Sequence, residues 1–381
     1  MNPIFAALAT LSCALMLWQW FAARQFPLHQ KRAIKTFTPA ISLLKTLKGC
    51  DETTGTSLET WVKQDYAGVT EIIFGVAEPT DPACEIVRRV IAENPGCRAR
   101  LVICDNLAGV NAKVAKLAEL EKLAAHDLIL ISDADVRVPP DFIANFVAAL
   151  SDEKIALVNC FYRLADPSTL ALQWEAVAIN ADFWSQVLQS QTLKPLDFAL
   201  GAAILVRSSA LREIGGFASL ANCLADDYQL GHRIARNGHG IALCPVVVEC
   251  WDGPQSWAQV WKHQLRWART IRVCRARPYF LSILSNVSLW SILWLAAAVQ
   301  TTGNFFCAPM TAGFFLLLRI VLAQDLQRRF TPERNLVSPF WLVPVKDILQ
   351  VLLWVAAFLG STVEWRGRRM KVRRDGTLIE I

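Results

Sequence analysis

The sequence predicts an α/β fold, a mostly parallel, doubly wound sheet with crossover helices, joined to α-helical membrane segments. Three observations predict it. Between Ala40 and Ile131 short apolar runs alternate with helical patterns, the succession that builds βαβ units. The 381 residues are 54% hydrophobic with 14 tryptophans, a composition that points to a chain partly embedded in a bilayer. Pro3 to Ala23 is apolar and uncharged over about the length needed to span one.

Taken in order, residues 1–24 form an N-terminal transmembrane helix. Arg24, Lys31, Arg32 and Lys35 follow it, which sets the next segment on the cytoplasmic side. With no small-residue cleavage site, a retained anchor is expected. Residues 25–253 then make the soluble domain. Strands are expected at Ala40–Leu47, Thr70–Ala77, Arg100–Cys104 and Leu128–Ile131, and helices at Ser57–Gln64, Ala83–Glu93 and Val110–Ala125. In such sheets ligands bind beyond the carboxyl ends of the strands. Those loops carry Lys48 and Asp51 after the first strand, Glu78 and Asp81 after the second, and Asp105 and Asn106 after the third. Singly, each reads first as a turn residue or helix cap.

The fourth strand is the centre of the pattern. Leu128 to Ile131 is an apolar run of a strand buried on both faces, and Ser132-Asp133-Ala134-Asp135 breaks it. Alternation puts Asp133 and Asp135 on one side. Two carboxylates so placed repel each other and suit a divalent cation, Mg²⁺ or Mn²⁺, shared with phosphate oxygens. An isolated D-x-D reads equally well as a solvated loop; four strands ending in polar or acidic loops favour a nucleotide crevice.

Further along, Leu170–Leu188 is expected to be one helix, and Phe198–Val206 a small-residue strand that something approaches closely. Ser208–Ile214 reads as a helix stopped by Gly215-Gly216. Asp226 and Asp227 open another helix, as favourable charges at its positive end or as a source of a general base. Residues 254–278 hold a basic amphipathic helix, in which Trp257, Val260, Trp261, Leu265 and Ile271 interleave with Lys262, Arg266, Arg269 and Arg272. Such a helix lies in a bilayer interface.

Charge and cysteine usage narrow the partners. The formal net charge is +6, and Arg366, Arg368, Arg369, Lys371, Arg373 and Arg374 alone account for it. Basicity therefore marks a membrane-surface tail, not a nucleic-acid-binding face. The 11 cysteines form no C-x-x-C pair and read as reduced thiols.

With D-A-D, D-D-Y and H-Q-L-R-W found in that order, the chain resembles a ceramide glucosyltransferase-like family 2 glycosyltransferase, closest to the bacterial branch associated with hopanoid biosynthesis. SLLKTLKGCDE from Ser42, GVNAKVAKL from Gly109 and VEWRGRRMKVRRDG near the C-terminus extend the resemblance over nearly the whole chain. It implies a glycosyltransferase A fold for residues 25–253. It also implies inverting transfer of glucose or N-acetylglucosamine from a UDP-sugar to a lipid hydroxyl, that of ceramide, a hopanoid polyol such as bacteriohopanetetrol, or diacylglycerol. By resemblance Glu78, Lys48 and Lys113 lie near the nucleotide, Glu78 standing where an Asp is usual. Asp133 and Asp135 hold the metal and diphosphate, and Asp227 is the base with Asp226 beside it. Arg266 and Trp267 match the R-W motif, and His263 stands where Gln or Arg is usual. Arg266, with His263 as a second donor, is implied to bind the diphosphate. The place implied is the bacterial inner membrane, multi-pass, with the catalytic domain facing the cytoplasm.

Residues 279–381 complete the membrane region. Tyr279–Val299 and Phe305–Leu322 are long enough to span, joined by the turn Gln300–Asn304. Pro339–Gly360 is interrupted by Pro344, Lys346 and Asp347, so a re-entrant or interfacial segment is expected, with Lys346 and Asp347 paired and the basic tail left cytoplasmic. A processive polysaccharide synthase shares the acidic motifs but needs a channel of more helices than remain after Trp267. A non-catalytic membrane lipid-binding protein has no use for Asp133, Asp135 and Asp227 together.

Overall fold

The computed structural model describes residues 3–105, 107–300, 307–332, 338–365, 368–373 and 375–381. Asn106, residues 301–304 of the expected turn, and Arg366 and Arg374 of the expected tail lie outside the described residues. The chain gathers into two compact units. A sheet unit comprises Leu28–Ala165, Pro195–Gly253 and Gly376–Ile381, and a helical unit the remainder to Asp375.

After α1 (Pro3–Gln25), the sheet unit opens with β1 (Ile41–Thr46), α2 (Thr54–Val62), β2 (Thr70–Val76), α3 (Ala83–Glu93), β3 (Arg98–Ile103), α4 (Ala112–Glu121) and β4 (Leu128–Ser132). These follow the alternation read from the sequence. Every residue of β1 and β4 is buried. Period two divides them between two cores: Leu43, Ile72 and Leu130 pack with Trp61, Phe142 and Phe146, whereas Leu44, Ile73 and Ile131 pack with Leu117, Leu120 and Phe217. Helices on both faces make this a doubly wound layer. Helix α4 starts two residues later than its sequence pattern because Asn111 caps it, accepting from the N–H groups of Lys113 and Val114, and it ends at Glu121.

The chain continues through β5 (Val136–Arg137), α5 (Phe142–Val147) and β6 (Ile155–Ala165), then leaves for α6 (Leu170–Val177) and α7 (Trp184–Gln191). It returns with β7 (Ala203–Arg207), α8 (Ser208–Glu213), α9 (Asp226–Arg236) and β8 (Gly240–Trp251). Strand order is β3-β2-β1-β4-β7-β6-β8-β5. The first four strands are parallel; β7 runs antiparallel to β4 and β6, β8 is parallel to β6, and β5 is antiparallel to β8. The expected strand Phe198–Val206 thus starts five residues late, with residues 198–202 forming a turn. Strands β6 and β8 escape the periodicity reading because Asn159, Arg163 and Pro245 interrupt their apolar runs. As expected, α8 stops at Gly215 and Gly216, whose φ values are +87° and +67°.

In the helical unit, the helix expected over Leu170–Leu188 contains a π-helical segment at Ala178–Phe183 between α6 and α7. The interface helix is α10 (Trp257–Cys274), opened by a capping box between Ser256 and Gln259. It is followed by α11 (Ala276–Leu281), α12 (Val287–Gln300), α13 (Cys307–Phe330) and α14 (Leu342–Phe358). Among the described residues two helices, Pro3–Gln25 and Ala308–Phe330, are long and apolar enough to cross a membrane, or up to three spans if the pair Ala276–Ser285 and Val287–Ala298 counts as one. The span expected at Tyr279–Val299 is not straight but bends by 51° between those helices. Asn286 makes the break: its side chain accepts from Leu289 N–H (2.9 Å) and donates to the Asp347 carbonyl (2.8 Å). The basic C-terminal stretch folds as well, with β9 (Thr362–Trp365) antiparallel to β10 (Arg368–Val372). In the sheet unit, β11 (Leu378–Glu380) follows a bridge from Thr377 to Cys223. The ten cysteines from Cys13 to Cys274 carry free thiols.

Candidate active site

The carboxyl end of β4 projects Asp133-Ala134-Asp135 out of the sheet, and both flanks of the turn are pinned. Asp133 N–H donates to the Ala202 carbonyl (3.2 Å), and Trp251 N–H donates to that of Asp135 (3.1 Å). Parallel pairing places Lys45 of β1 opposite Ser132. The Lys45 ammonium is fully buried, donates to the Asp133 carbonyl and to Ser132 Oγ (3.3 Å), and lies 4.7 Å from the Trp61 ring centroid. Burial lowers its pKa to about 7, against the pull of Asp135 and Asp133. Burial likewise raises Asp135 to about 7, reinforced by Asp133 and Asp252 and opposed by Lys45.

A second carboxylate pair comes from the start of α9. Lys113, in the first turn of α4, bridges the two pairs: its Nζ is 2.6 Å from Asp133 Oδ1 and 3.5 Å from Asp226 Oδ2. Burial alone would neutralise this ammonium, but Asp133 and Asp226 together hold its pKa above the ordinary lysine value. Asn111 ties the two helix starts, its amide donating to the Cys223 carbonyl (2.9 Å) and Asp226 Oδ1 (3.4 Å). Asp227 is raised to about 6, first by burial and then by Asp226, while Lys113 and the Tyr228 N–H work against the shift. The close approach expected at the small-residue stretch is made here. A Cβ on Gly201 would stand 2.7 Å from Asp227 Oδ2, and one on Gly231 would meet the backbone of Phe198 and Ala199.

Asp133, Asp135, Asp226 and Asp227 therefore converge, with two lysines among them. This excess of part-buried negative charge, with oxygen donors alone and open to solvent at Asp133, fits a hard divalent cation completed by phosphate oxygens. Among the described residues no three His, Cys, Asp or Glu side chains form a preassembled metal cluster. Lys48 and Glu78 stand apart: both are exposed, and no described contact joins either side chain to the carboxylates. The loop contact at that end belongs to Asp81, whose carboxylate accepts the Gly49 N–H (3.0 and 3.1 Å). Lys45 is the residue that the sequence reading does not single out; it is the lone charge in β1, ISLLKT, and only strand register gives it a partner.

The H-Q-L-R-W residues lie on α10 of the helical unit. His263 Nδ1 is 2.7 Å from Glu175 Oε1, and Gln264 Nε2 donates to the same oxygen (2.7 Å). Trp267 stands edge-on to His263 at 4.9 Å and 6.1 Å from Phe183. Arg266 lines a pocket of about 320 Å³ with Lys262, Arg269, Glu364 and Arg369.

Comparison with known proteins decides the family. The model of glycosyl transferase family 21 matches residues 4–378. The chain belongs to glycosyl transferase family 21. Among curated family relatives, ceramide glucosyltransferase 1 of Caenorhabditis elegans is 23% identical over 361 residues, 93% of this chain and 76% of that protein. Ceramide glucosyltransferase 3 of the same organism is 24% identical over 222 residues, 58% of this chain and 48% of its own length. Among solved structures, the mannosyltransferase PcManGT from Pyrobaculum calidifontis, in complex with GDP-Man and Mn²⁺, superposes with a TM-score of 0.55 at 19% identity, covering 94% of this chain and 97% of that one. The glycosyltransferase A architecture expected from the motifs is thereby established, and a sugar-transferring enzyme with it.

Proposed function

We propose that this family 21 enzyme moves glucose or N-acetylglucosamine from a UDP-sugar to the hydroxyl of a membrane lipid, a hopanoid polyol or ceramide, with inversion at the sugar carbon. The observation that carries this reading is the junction at Lys113, where the D-A-D turn and the start of α9 meet. Two curated relatives are ceramide glucosyltransferases, which favours a lipid acceptor.

In the proposed reaction the lipid oxygen bonds to the anomeric carbon as the bond to the UDP oxygen breaks, and the hydroxyl proton passes to Asp227. A base needs a carboxylate that is ionised yet close in pKa to the working pH, and Asp227 at about 6 meets that condition. Asp133 and Asp135 would hold Mg²⁺ or Mn²⁺, which supplies charge neutralisation to a leaving diphosphate. Lys113 sets the spacing of the two acidic pairs and offers an ammonium beside them. Arg266 adds a charge-assisted donor to the diphosphate, with Trp267 as its motif neighbour. Lys48 and Glu78 stay as nucleotide contacts by resemblance alone. The basic flank of α1 favours a sheet unit on the cytoplasmic face of a bacterial inner membrane.

The test is UDP release by detergent-purified full chain with Mn²⁺ or Mg²⁺, pairing UDP-glucose and UDP-N-acetylglucosamine with bacteriohopanetetrol and ceramide. Acceptor-dependent release that chelation abolishes, and that Asp227→Asn lowers by about 10²–10⁴-fold, is the expected result. Full activity in Asp227→Asn would remove the assigned base.

A further inference from the structure

Glu175 is 1% exposed on α6, and its neighbour Trp174 stacks on Trp257 (5.7 Å) and Trp261 (6.2 Å) of α10. Its Oε1 meets both His263 and Gln264, while Oε2 is buried and has no hydrogen-bond partner among the described residues. A carboxylate left half satisfied in an aromatic interior is costly, and a leucine would pack there without that cost. What the carboxylate does is fix an imidazole. It can only accept, so the ring nitrogen facing it, Nδ1, carries the hydrogen, and in the neutral ring the lone pair falls on Nε2. Nε2 makes no hydrogen bond among the described residues, and the His263 side chain is 28% exposed. A carboxylate–imidazole pair with one ring nitrogen free is arranged to accept an O–H hydrogen. A diphosphate oxygen has no hydrogen to give; a lipid hydroxyl has.

We propose that Glu175 and His263 form a subsite of the helical unit for a hydroxyl of the acceptor lipid. His263 Nε2 accepts the hydrogen bond of an acceptor hydroxyl other than the one that gives its proton to Asp227, such as the second hydroxyl of ceramide or a further one of a polyol, and Glu175 is the positioning residue that sets the tautomer. Trp267, edge-on to the His263 ring and beside Phe183, gives it aromatic surroundings suited to an apolar molecule with a polar end. The inference rests on the glycosyl-transfer reading above and reassigns His263 from diphosphate to acceptor; Arg266 keeps the diphosphate.

The experiment is steady-state kinetics of the full chain in detergent, with whichever donor and lipid the wild type turns over, on Glu175→Gln, His263→Phe and the double variant. In Glu175→Gln the NH₂ takes the place of Oε1, where both partners lie, and donates to Nδ1 and to the Gln264 carbonyl once that amide turns over; the ring hydrogen is forced onto Nε2, and only an oxygen is left without a partner, as in the wild type. KM for the lipid is expected to rise about tenfold in each single variant, with KM for the UDP-sugar within about twofold, and the double variant no worse than the worse single. A shift in donor KM instead, unchanged acceptor KM, or losses that multiply in the double variant would each overturn the proposal. Should Glu175→Gln fail to fold, His263→Phe, altering a part-exposed ring, carries the same comparison. If the wild type turns over no UDP-sugar, the glycosyl-transfer reading falls and this one with it; if it does and acceptor KM holds, only this one falls.

Discussion

Asp227 shows how one residue can carry both the chemistry and a cost to the fold. Burial and the neighbouring Asp226 raise its pKa to about 6 from an ordinary aspartate value near 3.8. The folded state thus prefers the protonated acid, so Asp227's contribution to stability is fully present below the unfolded pKa and is lost as pH rises through about 6. Activity runs the other way, because a base must be ionised. Over the acid limb kcat/KM for the lipid is expected to climb about tenfold per pH unit up to about 6 and then level, read from a pH–rate profile at low lipid concentration. Asp227→Asn, locked in the neutral form, should melt above the wild type at pH 8 and approach it only below the unfolded pKa, at about pH 3. A variant that melts lower at pH 8 would contradict the burial account. On the proposed role, the ionisable residue is kept against stability, as active sites commonly do.

At the scale of elements, the acid is aimed by the turn before β7 and by α9. Gly201 leaves room for Oδ2 of Asp227, and Gly231 lets α9 lie against Phe198 and Ala199. Gly201→Ala puts a methyl 2.7 Å from that oxygen, and the carboxylate, being the movable partner, gives way. A displacement on the order of 1 Å costs about 10²-fold in rate, so kcat should fall by about that factor while the melting temperature changes little. Unchanged kcat would mean that Asp227 tolerates the move. Much of this arrangement was legible beforehand. The alternation from β1 to β4 and the acids at Asp133, Asp135 and Asp227 follow from period and motif, which are local properties. What was not legible depends on pairing. β6 and β8 carry Asn159, Arg163 and Pro245 inside their runs and are strands because of their pairing with each other and with β7 and β5. Lys45 reads as a solvated lysine until register sets it opposite Ser132. Glu175 gains meaning only from His263, which no spacing rule brings to it.

For the molecule as a whole, the chain enters the helical unit three times, and its folding must fasten stretches far apart in sequence. A closed set of charges does so. Arg319 donates to Asp182 (2.8 Å) and to both oxygens of Asp347 (2.8 and 2.9 Å), Lys346 pairs with Asp182 and Asp347, and Ser288 donates to Asp347 (2.6 Å). The pairing expected of Lys346 and Asp347 is thus half of a four-charge cluster, all four at most 7% exposed. Gln19 of α1 joins it by donating to the Asp182 carbonyl (3.2 Å) and Ser185 Oγ (2.7 Å). The π-helical segment supplies Asp182, so the widened turn has a role in the assembly. Two cations and two carboxylates balance, and removing one leaves an uncompensated buried charge. Arg319→Met should therefore destabilise the helical unit by about 3–5 kcal/mol, seen as an early thermal transition in detergent, while molecules still folded keep wild-type kcat at low temperature. Restoring neutrality should restore part of the loss: Arg319→Met with Asp347→Asn melts above Arg319→Met alone. If the double variant melts lower still, the cluster is held by its individual hydrogen bonds and not by charge balance.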